Sequence, residues 1–141
     1  MRVKYFLDTN VLVYAFDQNE PEKRDAAKQY LQRLFTDEEY VLSVQVLNEF
    51  CNVAQKKLDP PMPQEKLQAF IRLIPDERLV PLTKEITEHA IAIQHANRLS
   101  FWDSVIVATA MEGDCQYILT KNLSHSQKIG DVTIMNPFLH D

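Results

Sequence analysis

The sequence predicts an α/β fold: three layers, α/β/α, around a central, mainly parallel and roughly five-stranded sheet. Three observations predict it. Short apolar runs rich in pleat-favouring residues alternate with longer segments whose apolar residues recur every three or four positions. Helical segments separate successive strands, as parallel pairing requires. A carboxylate, Asp8, closes the first apolar run, and in open sheets of this kind ligands bind at the carboxyl ends of the strands.

The elements follow in order. Residues 3–7 (Val-Lys-Tyr-Phe-Leu) read as a buried strand that stops at Asp8. Residues 11–16 open a short helix, and 17–21 break it. Pro21 suits the first turn of a longer helix running to about Phe35, with Ala27, Tyr30, Leu31 and Leu34 on one face. Tyr40–Leu42 is a short strand. Ser43 is placed to cap a helix from Val44 to about Leu58, whose stripe is Val46, Leu47, Phe50, Val53 and Ala54. Pro60, Pro61 and Pro63 stiffen the loop after it. A second helix at 64–74 stops at Pro75. Leu79, Val80 and Leu82 form a strand that Pro81 assigns to a sheet edge. Residues 84–96 are helical, with Ile86, Ala90, Ile93 and Ala96 inward. Ser100 caps a further, largely buried helix carrying Trp102 and ending at Gly113. Tyr117–Leu119 and Val132–Ile134 complete the strands. One domain over 1–141 is expected.

Composition excludes several functions. The only glycines are Gly113 and Gly130, so a glycine-rich phosphate loop cannot be built. A formal net charge of −5 gives no broad basic footprint for nucleic acid, although a bound divalent cation offsets acidic charge locally. Cys51 and Cys115 have neither metal-ligand nor disulfide spacing and are expected to be buried thiols. With no leader pattern and no run of about eighteen apolar residues, the expectation is a cytoplasmic chain with no membrane partner.

Asp8, Glu49 and Asp103 are the candidate chemistry. Hard Mg²⁺ or Mn²⁺ ions take oxygen ligands, and carboxylates from distant positions can assemble such a site. Each acid also has a plainer explanation. Asp8 suits a turn or helix cap, Glu49 a boundary side chain with its head in water, and Asp103 the third position of a capping box with Ser100. Thr9 and Asn10 flank Asp8 and are expected to orient water or carboxylates, and Asn48 and Asn52 flank Glu49. Thr120, Lys121 and Asn122 follow a later strand at the same sheet edge, and Arg98 or Lys121 is a candidate phosphate contact.

Taken together these segments resemble PIN-domain proteins of the kind found as the toxin of prokaryotic VapBC toxin–antitoxin pairs. Leu7-Asp8-Thr9-Asn10-Val11-Leu12 is similar to the family's first motif, and Ser43 with Glu49 to its second. Leu99-Ser100-Phe101-Trp102-Asp103-Ser104 resembles the third, and Leu119 to Gln127 the fourth. Asn136-Pro137-Phe138 is similar to the usual ending. The resemblance implies a metal-dependent endoribonuclease acting on RNA, with Asp8, Glu49 and Asp103 as metal ligands and catalytic acids. It implies Ser43, Thr9, Asn10, Arg98, Thr120, Lys121 and Asn122 as supporting residues, Thr120 as a hydroxyl ligand to water, and His125 as a loop-shaping residue. A homodimer and a cognate antitoxin are implied partners.

The chain departs from that pattern at Asn122, where many members carry aspartate, and Asp131 is a distant substitute. A weak or inactive PIN-fold module that binds RNA or protein is therefore the alternative expectation. A phosphoesterase acting on a smaller substrate is a third.

Overall fold

The computed structural model describes residues 3–36 and 39–139. Strands β1 (Lys4–Leu7), β2 (Glu39–Ser43), β3 (Leu79–Val80), β4 (Tyr117–Leu119), β5 (Lys128–Ile129) and β6 (Val132–Met135) form one sheet in the order β3-β2-β1-β4-β6-β5. All neighbours are parallel except β5 and β6. The helices are α1 (Thr9–Tyr14), α2 (Pro21–Thr36), α3 (Val44–Lys56), α4 (Gln64–Leu73), α5 (Lys84–Asn97) and α6 (Phe101–Glu112). The expected three-layer architecture and mainly parallel sheet are thus present.

The strand not expected from the sequence is β5. Its two residues are too few to show alternation, and they pair only because Gly130, at φ 58°, makes the tight turn into β6. The first helix also begins two residues earlier than its apolar run suggests. Asp8 caps it by accepting from the Thr9 N–H, which draws Thr9 and Asn10 into the first turn.

β1 lies at the centre, fully buried at Phe6 and Leu7. The chain leaves β1 toward β2 on one side and later returns as β4 on the other, so the strand order reverses between β1 and β4. The carboxyl ends of those two strands flank the crevice where such sheets bind ligands. Tyr5 pairs with Tyr117 and Leu7 with Leu119, which carries Asp8 and Thr120 out of the sheet side by side.

Three aromatic rings fix the helices over this edge. Phe50 of α3 is fully buried and lies 5.7 Å from Phe16 and 5.0 Å from Phe70 of α4. Phe16 and Phe70 meet edge-on at 5.2 Å. Such pairs each add about 0.5–1.5 kcal/mol beyond burial. With Phe50 locked inward, α3 cannot roll, and Glu49 is held at the helix boundary.

On the other side α6 is buried over Ser104–Ala110 and packs against α5. Gly113 ends it, and a Cβ there would come within 3.0 Å of Val80 and 3.2 Å of Val41, so the helix end meets the sheet closely only because that residue is glycine. Some sequence expectations fail at the surface. Trp102 is 64% exposed, because it precedes the buried part of α6. Ala96 is exposed and Cys51 only half-buried, whereas Cys115 is buried and its thiol is pushed up to about 12. Among the described residues no helix is long and apolar enough to cross a membrane.

Candidate metal centre

Asp8 is 8% exposed, and its two carboxylate oxygens have separate partners. The Thr9 N–H donates to Oδ1 at 2.7 Å, and the Thr120 hydroxyl donates to Oδ2 at 2.8 Å. Thr120, fully buried at the end of β4, is the hub. Besides donating to Asp8, its oxygen accepts from Asn10 Nδ2 at 3.4 Å and from the Asn122 N–H at 3.2 Å. That uses the hydroxyl's one proton and both lone pairs. In this arrangement Thr120 positions the Asp8 carboxylate. Asn10 likewise holds the loop after β4 rather than a carboxylate, since its Oδ1 accepts from the Lys121 N–H at 3.0 Å.

Glu49 joins the group through Thr9, whose hydroxyl donates to Oε2 at 2.9 Å. Thr9 thus links two acids directly, its backbone to Asp8 and its side chain to Glu49. The other Glu49 oxygen accepts from Gln45 Nε2 at 3.2 Å, one helical turn earlier. Gln45 was missed in the sequence, although its four-residue spacing from Glu49 was available there. Asn48 and Asn52, the expected flanking amides, are exposed and make no hydrogen bond to Glu49. Ser43 caps α3 by accepting from the Val46 N–H at 3.2 Å, and so supports Glu49 by setting where its helix starts.

Asp103 stands on the first turn of α6, where its N–H donates to Ser100 Oγ at 3.1 Å. Half of the expected capping box is present. Asp103 also acts on Asp8 electrostatically. Burial pushes the Asp8 carboxyl above its ordinary 3.8; the bonds from Thr120 and Thr9 oppose this, and the charges of Glu49 and Asp103 add to it. Among the described residues no lysine or arginine forms an ion pair with these three acids.

The three acids are nevertheless less tightly gathered than expected. Among the described residues no three His, Cys, Asp or Glu side chains form a ready-made metal-ligand group. Asp8 is tied to the end of β4 and Glu49 to Thr9 and Gln45, while Asp103 stands on a different helix. Asp8, Thr9, Asn10, Val13, Tyr14, Glu49, Val53, Lys57 and Asn122 line a cleft of ≈ 360 Å³, and Asp103 is not in its wall.

Other expected residues fall into structural roles. Arg98, with left-handed φ of 56°, terminates α5 and is exposed. The imidazole Nδ1 of His125 accepts from the Asn136 N–H at 3.0 Å, so it shapes the loop after β4 as anticipated. Asp131 cannot substitute for Asn122: it precedes β6, and the Tyr117–Thr133 register puts it at the opposite edge of the sheet from Asp8.

Because Asp8 is raised mainly by burial, it predicts a pH dependence without divalent cations. Below 3.8 the group is protonated both folded and unfolded; as pH rises toward the higher folded value, the unfolded chain ionises first and stability is lost. Asp8→Asn cannot lose a proton. Its melting temperature relative to wild type is expected to climb from acid to neutral pH, and a flat difference across that range would contradict the assigned burial.

The fold and cleft define an open α/β protein with an acidic, oxygen-rich site at its strand-order reversal. Residues 5–128 match the family described as PIN domain, and the chain belongs to that family. Its structure resembles a toxin–antitoxin complex chain from Klebsiella pneumoniae (TM-score 0.68, 21% identity, 94% of this chain and 97% of that one covered). It also resembles VapBC2 from Rickettsia felis, bound there to a promoter DNA fragment (0.64, 22%, 95% and 98%). DNA-bound VapBC from Salmonella typhimurium is similar in the same way (0.61, 20%, 96% and 98%). No curated protein matches the chain. The fold is thus a PIN domain closely resembling the toxin components of VapBC systems.

Proposed function

We propose that this chain is a toxin-type PIN protein with an attenuated metal site: a catalytically weak, metal-dependent endoribonuclease rather than a fully equipped one. The observation that carries this reading is the pairing of Asp8, Glu49 and Asn122 around one cleft. Two carboxylates there share Thr9, and the third group is an amide.

The donor set fits a hard cation. It offers carboxylate and amide oxygens, Glu49 and Asp103 act on Asp8 as like charges, and among the described residues no lysine or arginine forms an ion pair with the three acids, although Lys57 lines the cleft. Asp8 and Glu49 would hold Mg²⁺ or Mn²⁺, with Asp103 adding charge and Asn122 a neutral oxygen. Such an ion, when bound, would supply charge neutralisation at phosphate and a more acidic water. The chain's own part is orientation: Thr120 and the Thr9 N–H fix the Asp8 carboxylate, and Gln45 and the Thr9 hydroxyl fix Glu49. Asn122 lacks the charge that would draw the group tighter, and that supports weak over strong activity.

The same reading includes a cytoplasmic RNA substrate, a homodimer and a cognate antitoxin. The toxin–antitoxin assemblies named for its structural relatives support the last of these.

Slow cleavage of single-stranded RNA is expected with added Mn²⁺, and none by Asp8→Asn. Equal rates for the two proteins would remove the mechanism. Absence of both cleavage and Mn²⁺ binding in wild type would leave only the non-catalytic binding module.

A further inference from the structure

One wall of the acidic cleft is Tyr14, and two lysines flank its ring. The Lys23 ammonium lies 5.2 Å from the ring centre and that of Lys121 5.1 Å. Lys121 Nζ also donates to the Tyr14 phenol oxygen at 2.7 Å. The three residues come from α2, the loop after β4 and the last residue of α1, so the fold assembles them from separate elements. Phe138 steadies the ring edge-on at 4.9 Å.

Two ammonium groups meet one ring, whose negative face attracts cations. The nearby acid is Glu20, 4.0 Å from Lys23 in an exposed pair that contributes little. The phenol oxygen accepts from Lys121, so the Tyr14 O–H proton stays available for another acceptor. The bond to Tyr14 also raises the Lys121 ammonium's pKa, which keeps it charged. The result is a donor-rich, positive spot beside an acidic cleft, in a chain of formal net charge −5.

We infer that Tyr14, Lys23 and Lys121 form a subsite for a backbone phosphate of single-stranded RNA, adjoining the acidic cleft. The inference rests on the ribonuclease reading and extends it, by giving the strand a path from the acids across α1 to α2. An RNA strand uses both features at once. One phosphate meets the cation-binding acids while its neighbour meets fixed ammonium groups. An acidic peptide on the lysines would instead bring carboxylates toward Asp8 and Glu49 with no phosphate to gain from the acids.

The test is binding of a single-stranded RNA oligonucleotide, followed by fluorescence anisotropy across a salt series without divalent cations, so that cleavage plays no part. The proteins are wild type, the Lys23→Gln/Lys121→Gln double variant, Tyr14→Phe, and a Lys84→Gln/Lys128→Gln control of equal charge outside the cleft. The slope of log K against log salt is expected to flatten by about 0.7 for each phosphate that the double variant can no longer neutralise. Tyr14→Phe should weaken binding at unchanged slope, because it removes a neutral donor. The control should keep the wild-type slope.

RNA that binds and is cleaved, with the double variant indistinguishable from wild type or from the control, would overturn the subsite and leave the ribonuclease reading intact. Wild type that binds no RNA would overturn both. Lysine-dependent binding of an oligoglutamate peptide, with RNA binding indifferent to the lysines, would assign the spot to an acidic protein partner and overturn the inference.

Discussion

Asn122→Asp is expected to tighten Mn²⁺ binding by more than tenfold and to raise RNA cleavage with it. Asn122 lines the same cleft as Asp8 and Glu49, so a carboxylate there adds its charge to theirs. Even at the dielectric of water, a divalent ion about 5 Å from one more negative charge gains about 1.7 kcal/mol, which exceeds a factor of ten in affinity. Without metal the same substitution should lower the melting temperature, since it adds a third anion to two that already repel. Calorimetric titration with Mn²⁺ and melting with and without the ion check both signs. An unchanged affinity would mean that the side chain at 122 does not reach the ion, and the attenuated-site reading would fall with it.

Thr120→Val should have the largest effect on the folded state. Valine matches threonine in shape and removes the hydroxyl that serves Asp8, Asn10 and Asn122. Leaving a buried acceptor without its donor costs about 1–3 kcal/mol, so a fall of roughly 5–10 °C in melting temperature is expected. The Asp8 carboxyl should also rise further, because the bond from Thr120 is the strongest influence holding it down. Thr120→Ser keeps the hydroxyl and should restore most of both properties. A valine variant as stable as wild type, with Asp8 titrating as before, would show that the hub is incidental.

Much of this architecture was legible because local signals agreed with one another. The strand at residues 117–119 was bounded as observed, Ser43 and Ser100 cap the helices they were expected to cap, and Pro81 follows an edge strand. Asp8 could be singled out because a carboxylate ending an apolar strand has few reasons to be there. What stayed hidden depends on contacts between distant segments. Nothing in the sequence pairs Tyr14 with Lys121, 107 residues away, because both types are common and neither is periodic. The bonding of Thr120 stayed hidden for a related reason: a hydroxyl's partners are set by which segments meet it, and here the turn from β1 into α1 meets the loop after β4. Trp102 reads as core from its neighbours, yet it stands on the turn before the helix becomes enclosed.

The pairing of Leu7 with Leu119 has one more consequence. Side chains alternate sides along a strand, so a shift of one residue between these two strands would turn Asp8 away from Thr120 and exchange inward for outward positions throughout. Deleting a single residue within 117–119 should therefore abolish cation binding outright, even where the chain still collapses. Substitutions at this edge are graded in effect, whereas frame changes in its two short strands are all-or-nothing, and the chemistry of the cleft is to that extent a matter of counting.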